Sequence, residues 1–344
     1  MASDVETQVP AQTDTRLVSG KKIPFKWVAV FIILGLFIPY FVQGYVAFQG
    51  TLIMIYAVAI LGLNLLTGFN GQFSLGHSAF YAIGAYTAAV LVYHLDWPVY
   101  ATIPVGGLVC FVAGFLFGLP ALRLEGLYLA LATFALGVAV PQILKSSHLE
   151  ELTGGVQGLD VFRPAVPEFL VNNLAMNMDR WWYFIAFFVM LFMFWLAWNL
   201  INSRSGRAMM AIRDNPIAAK SMGINTSLYK SLTFGLSAFY TGIAGAMAAI
   251  VIEFVAPDSF TFQLSILLFI GLVIGGTGSI WGSIFGGFFI LFVPNFAEEI
   301  STGLSYAVFG VILILVIYVM PSGFAGLVNI LSVRFKKLFG AKTS

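Results

Sequence analysis

Long apolar runs alternate with short polar breaks along almost the whole chain, and most runs have the length a helix needs to cross a hydrocarbon layer. The runs predict spans at Trp27 to about Val46, about Gly50 to Thr67, about Phe73 to Tyr93, Val99 to Leu119, Gly126 to about Leu144, Trp181 to Leu200 and roughly Ser231 to Ile252. Phe262 to Phe296 is too long for one span and is interrupted by GGTGSIWG, which makes it two, and Leu304 to Met320 is the tenth. The expected fold class is all-α, a polytopic membrane helical bundle of about ten transmembrane segments. Eight full spans plus re-entrant segments fit the same pattern, because TGFNGQFSLGHS (67–78) reads as a broken or re-entrant stretch.

Composition agrees with that class. With 344 residues, 60% of them hydrophobic, 9% charged, and a mean hydropathy of +0.94, nearly all of the chain belongs outside water. The alternating polar face of a β-barrel would lower that value. The 35 glycines and 34 phenylalanines suit helices that pack through small residues and face lipid with large ones. Cys110 is the single cysteine, so an internal disulfide and a cysteine metal cluster are excluded; its apolar setting makes it a buried small side chain.

The net charge of +2 says less than where the charges fall. Arg204 to Lys230 carries Arg204, Arg207, Arg213, Lys220 and Lys230 against Asp214 alone, which marks a cytoplasmic connection. Six spans before it and four after it put both termini on the same side, with Lys21, Lys22, Lys26, Arg334, Lys336 and Lys337. The connection Lys145 to Arg180, richer in acid, then falls outside. This divides the chain into a cytoplasmic N-terminal tail (1–26), without a cleavage site and read as retained, a transmembrane domain (27–320) with a cytoplasmic loop at 201–230 and an external loop at 145–180, and a cytoplasmic C-terminal tail (321–344).

Polar residues inside apolar territory are the candidate chemistry: Asn64, Asn70, Gln72, Ser74, His77 and Ser78. Asn70, Gly71 and Gln72 sit where a helix could break. Two readings stand here: a turn followed by tight helix packing, or a lining for a substrate route that includes Phe69, Asn70, Gln72 and His77. His77 could be pH-responsive or simply packed and hydrogen-bonded. A second break, GGTGSIWGSIFGG (Gly275 to Gly287), loosely resembles the first, as an internal repeat would. It is not a phosphate loop, since its glycines run into Trp281 and Phe285 and no lysine follows. Glu298 and Glu299 are adjacent and read as a solvated helix end, and Glu125 could pair with Arg123 or Lys145. No nucleophile, base and oxyanion site assemble, so the chain is not expected to be an enzyme, to bind a metal or cofactor, or to hydrolyse ATP by itself. Nor does anything point to nucleic acid.

The basic connection has local structure of its own. Asn215 suits an N-cap and Pro216 the first helical position. IAAKSM follows, and Gly223 can take the left-handed conformation that ends it. A helix about 10 Å long is marginal alone and needs a surface to rest on. Ala218 and Ala219 would allow close approach, Ile217 and Met222 offer apolar contact, and Arg204, Arg207, Arg213 and Lys220 could face lipid headgroups or the acidic rim of a partner.

Three segments, NLLTGFNGQFSLGHSAFYAIGAY (Asn64 to Tyr86), SGRAMMAIRDNPIAAKSMGINTSLYK (Ser205 to Lys230) and SAFYTGIAGAMAAI (Ser237 to Ile250), resemble the LivM-type permeases of branched-chain amino acid ABC importers. The likeness covers almost the whole chain, GGTGSIWG included, and urea permeases share the architecture. ABC importer loops typically carry Glu-Ala-Ala and, three residues on, Gly; here Ile217 takes the Glu position, Ala218 and Ala219 match, and so does Gly223. By that resemblance Asn215, Pro216, Ile217, Ala218, Ala219, Lys220, Met222 and Gly223 form a coupling helix that docks on an ATP-binding subunit. The resemblance implies two such subunits, a second, LivH-like permease, an external or periplasmic substrate-binding protein, and a multi-pass place in a bacterial plasma (inner) membrane. The function implied is inward movement of leucine, isoleucine and valine. Alternatives are urea or another small polar solute as cargo, a stand-alone secondary transporter or channel, and a structural membrane subunit.

Overall fold

A computed structural model describes residues 25–121, 124, 126–169, 171, 176–300 and 303–328. The expected turn residues Arg123 and Glu125, and the flanking Lys21, Lys22, Arg334, Lys336 and Lys337, lie outside them. The chain divides into two compact units at Gln43. In the first, α1 (Phe25–Phe41) carries Pro39 within it.

The second unit begins with α2 (Gly44–Asn64), which continues as a π-helical turn over Leu65–Phe69. It is followed by α3 (His77–Leu95), α4 (Val99–Ala121), α5 (Leu127–Leu144), the short α6 (Glu150–Thr153), α7 (Met178–Asn202), α8 (Arg204–Asp214), α9 (Pro216–Ser221) and α10 (Thr226–Ile252). Then come α11 (Phe262–Gly275), α12 (Gly282–Ile300) and α13 (Ser305–Val319), with further helix at 323–328. Among the described residues eight helices are long and apolar enough to cross a membrane, and two shorter apolar helices, Val30–Phe41 and Phe262–Gly275, join them. The fold is an all-α polytopic membrane bundle.

Two span boundaries differ from those expected. The first break falls at Val42–Gln43, not between Val46 and Gly50, so the second span starts earlier than the hydropathy suggests. Gly50 is tolerated within α2 because the Tyr183 ring lies against it, where a Cβ would come within 3.0 Å of the ring. The third span starts at His77 and not at Phe73. Residues 70–76 are not helical, and from Gly71 to Ser74 exposed and buried positions alternate, with Gln72 and Ser74 buried and Gly71 and Phe73 exposed.

The interior is built around α10, which packs on α4, α3 and α2. Close approach needs small residues, and at the α3–α10 crossing a Cβ on Gly84 would stand 2.2 Å from the Gly242 carbonyl oxygen. Beside it, Cys110 is fully buried and its thiol donates to the Phe80 carbonyl (3.2 Å), while Phe80 and Phe234 meet edge to face. The helices α11 and α12 pack against each other and against α2.

The loops at the two ends of this bundle differ in charge. One end holds the connection α8–α9, with its arginines and lysines. The other holds α6, a two-residue antiparallel pairing of β1 (Leu159–Asp160) with β2 (Phe254–Val255), and a 3₁₀ turn at Pro257–Phe260. Arg163 there faces Glu253 (3.1 Å) and Asp179 (3.6 Å), and Lys145 pairs with Asp258. We call these the basic and acidic ends.

Candidate functional site

The first helix break is stitched into the bundle by side chains. Where α2 ends, its last carbonyls lose their helical partners. The Gln72 N–H reaches back to Leu66 O (3.1 Å), and the Thr67 hydroxyl donates to Gln72 O (2.9 Å). The Gln72 amide donates to Lys230 O (3.1 Å), near the start of α10. Further along, the Leu75 N–H donates to Thr133 Oγ1 (2.9 Å) and the Ser78 N–H to Ser265 Oγ (2.8 Å). Non-helical backbone at membrane depth survives only with such partners.

His77 opens α3 inside the bundle. Its Nδ1 lies 2.9 Å from Ser74 Oγ, and its Nε2 lies 2.7 Å from Ser237 Oγ. Ser237 spends its own proton on Gly62 O (2.6 Å), so its oxygen is left to accept from Nε2–H, and Nδ1 accepts from Ser74. Each group has one consistent role in a neutral imidazole. Ser237 is eleven residues into α10, about 16 Å from that helix's start at 1.5 Å per residue. The 70–76 segment therefore runs from the basic end toward the middle of the bundle, and α3 carries the chain on to the acidic end, where His94 Nε2 meets Leu152 O (3.1 Å).

The second break meets the first. Asn64 donates from Nδ2 to Ser279 O (2.8 Å) and accepts at Oδ1 from the Gly278 N–H (2.8 Å), serving both backbone groups of the turn between α11 and α12. Gly68 faces the same turn, and a Cβ there would lie 2.5 Å from Gly278 N and 2.0 Å from Asn64 Oδ1. A third segment reaches this point from the basic connection: Arg213 Nη1 donates to Gly68 O at 3.0 Å. Its Nε and Nη2 both donate to Asp214 Oδ1 (3.0 and 2.9 Å), which sets the plane of the guanidinium. Three stretches far apart in sequence converge on one cluster of backbone groups.

Asn70 is the exception. It is 2% exposed, and neither its Oδ1 nor its Nδ2 has a hydrogen-bond partner among the described residues. An unpaired buried donor or acceptor costs about 1–3 kcal/mol.

On the basic connection, Ser203 caps α8 by accepting from the Gly206 N–H (3.3 Å), and Ala208, Met209 and Ile212 bury one face of that helix. Asn215 Oδ1 then accepts from the Ile217 and Ala218 N–H groups, both at 3.0 Å, with Pro216 at the first helical position. Gly223 follows the helix at φ +83°, a left-handed conformation. Ala219 is buried, whereas Ile217 is 79% exposed and Met222 84% exposed. Two large apolar side chains stand off the basic end on a short capped helix.

Of the four residues expected near a route, all are buried within this chain, but in different roles. Gln72 and His77 are committed to hydrogen bonds, Phe69 is packed at the end of the π turn, and Asn70 alone keeps free polar capacity. Arg213 departs from the expectation that the basic side chains face headgroups or a partner: its guanidinium turns inward to a helix end. Sequence reading missed Ser237, Ser265, Thr133, Gly278 and Ser279 as partners of the first break, since nothing local marks a hydroxyl or a backbone amide two hundred residues away. It also missed α8, for which Ser203 followed by the spacing Ala208, Met209, Ile212 was a legible signal.

These features define the class: an all-α polytopic membrane protein with an extended stretch inside the bundle, two apposed helix breaks and an exposed, capped helix on its basic connection. The chain belongs to the family described as "Branched-chain amino acid transport system / permease component", which matches residues 46–317. It is 33% identical over 267 residues to the high-affinity branched-chain amino acid transport system permease protein LivM of Escherichia coli K12, covering 72% of this chain and 62% of that protein. Against LivM of Salmonella typhimurium it is 34% identical over 249 residues, 67% of this chain and 58% of that protein. Against LivH of Escherichia coli K12 it is 27% identical over 301 residues, 83% of this chain and 96% of that protein. The chain thus spans about three fifths of the length of the LivM relatives. No solved structure matches it.

Proposed function

We propose that this chain is a transmembrane permease subunit of an ABC importer in a bacterial plasma membrane, moving branched-chain amino acids inward while separate subunits hydrolyse ATP. Family membership supports the cargo class, and one structural observation carries the rest: the exposed pair Ile217 and Met222 on a short helix fixed by the Asn215 cap. Nothing among the described residues covers that pair. A water-filled cytoplasm would select against it unless a partner surface did. Asn215 to Gly223 would be the coupling helix, seated on one of two ATP-binding subunits. Ile217, in place of the usual acidic residue, makes its contact apolar. A LivH-like second permease would complete the membrane part, and an external binding protein would deliver substrate to the acidic end. Both termini would then be cytoplasmic.

Gln72 and His77 act in this reading as struts that hold the 70–76 segment. Asn70, with both ends of its amide unpaired, is the better candidate for a group that meets the zwitterionic substrate or its water. Purification of the membrane complex in mild detergent should retain the ATPases, and proteoliposomes should take up leucine, isoleucine and valine only with ATP and the binding protein. Uptake of urea in place of these would reassign the cargo. Nucleotide-independent transport by this chain alone would overturn the importer.

A further inference from the structure

We infer that Arg213 is a positioning residue that ties the coupling helix mechanically to both helix breaks, so that one displacement at the basic end moves the two breaks together. The inference rests on the importer reading above. Its ground is the convergence of three segments within hydrogen-bond distance: α8 through Arg213 Nη1 on Gly68 O (3.0 Å), the π turn through Gly68, and the α11–α12 turn through Gly278, held to Asn64 at 2.8 Å.

The lever is short. Arg213 lies in the last turn of α8, two residues before Asn215, which caps the exposed helix, so motion of α9 reaches the guanidinium without a flexible linker between. Asp214 fixes the guanidinium by two contacts to one oxygen, which leaves Nη1 aimed at the carbonyl. A cation also suits the negative end of the helix dipole at the close of α2. The connection is tight sterically, because Gly71, at φ +74°, puts its backbone where a Cβ would come 2.9 Å from Arg213 Cγ. Next to it the unpaired Asn70 amide leaves the first break incompletely satisfied in this conformation, as an element with a second arrangement would be. A plain helix cap explains the Gly68 contact, but not why the same residue sits at the root of the docking helix and against both breaks.

The test uses the assembled complex in nanodiscs, with spin labels on cysteines introduced at exposed positions. One sample pairs Val156→Cys at the acidic end with Ser221→Cys on α9, and the other pairs Val156→Cys with Thr277→Cys beside the second break; Cys110 is buried and does not label. With a non-hydrolysable ATP analogue both distances should change. In Arg213→Gln the change at 221 should persist and the change at 277 should shrink to less than half. An unaltered response at 277 overturns the tie, and a loss of thermal stability with both responses still in step shows a cap alone and overturns it equally. If Arg213→Gln does not assemble, Arg213→Lys keeps the cation without the fixed aim; a weakened response at 277 supports the tie and a full one refutes it. No response at 221 in the parent complex would sink the importer reading, and the tie with it, which separates that failure from the first.

Discussion

The two ends of the bundle are fastened by different physics. At the acidic end the fastenings are ion pairs, Lys145 with Asp258 at the surface and the largely covered Arg163 with Glu253 and Asp179, beside a two-residue β pairing. At the basic end they are side chains bonded to backbone groups of broken helices: Asn64 to Gly278 and Ser279, Gln72 to Lys230, and Arg213 to Gly68. Exposed ion pairs are screened and hold long side chains at an entropic cost, so each contributes little. Bonds to a helix end inside the bundle replace partners that the backbone cannot find elsewhere, and their loss exposes an unpaired group to apolar surroundings. The difference assigns rigidity at the acidic end to many weak local contacts, and integrity at the basic end to a few that cannot be removed singly.

The largest effect should come from the point where the two breaks touch. Replacing Gly68 by Val would force a Cβ within 2.5 Å of Gly278 N and onto the Asn64 amide, neither of which can retreat without breaking the other's bond. Overpacking of this kind costs about 1–3 kcal/mol, occasionally more, and here it also unseats two hydrogen bonds. The variant should show little monodisperse protein on size exclusion in detergent. A normal yield and melting temperature would mean the two breaks do not form one unit.

Asn64→Ala is the cleaner cut, because it removes the amide and adds no bulk. It leaves the Gly278 N–H and the Ser279 carbonyl without that partner, an expected loss of about 2–4 kcal/mol if both stay unpaired. Thermal unfolding of the purified protein should report it. A loss no larger than that of an acidic-end ion pair would erase the contrast between the ends.

Much of the fold was legible because membrane helices announce themselves by run length, and the two glycine breaks were both visible as interruptions. Their meeting was not. Asn64 looks like any polar residue in an apolar span, and its partners at 278 and 279 are backbone groups, which carry no sequence signal. The cap at Asn215, Pro216 and Gly223 was readable because each residue type answers a local backbone need, independent of the rest of the chain. Arg213 illustrates the opposite. A charge count groups it with the other cations of its connection but says nothing about whether it points to water, lipid or a carbonyl, and its inward turn depends on where α2 happens to end.

Gly223→Val tests the basic end without touching its interior. Nothing lies within 4 Å of a Cβ there, so its cost comes from φ +83° alone, about 1–2 kcal/mol for a left-handed residue. Global stability should fall by no more than that. Binding-protein-stimulated ATP hydrolysis should fall further, because the end of the docking helix would be reshaped. Unchanged stimulation in a properly inserted variant would remove this glycine from coupling.

The smallest effect should belong to Lys145→Ala at the acidic end. Its partner Asp258 is 67% exposed, so the pair is largely in water and should contribute less than about 1 kcal/mol, and less again as salt rises. The melting temperature of the variant should therefore approach that of the parent as sodium chloride is raised from low concentration toward 0.5 M. Arg163 offers the internal control, since its side chain is only 12% exposed and faces two carboxylates, and Arg163→Met should keep a deficit that salt does not close. If Lys145→Ala were instead as damaging as Asn64→Ala and insensitive to salt, the acidic end would be held by bonds as strong as those of the basic end, and the contrast between the two ends would disappear.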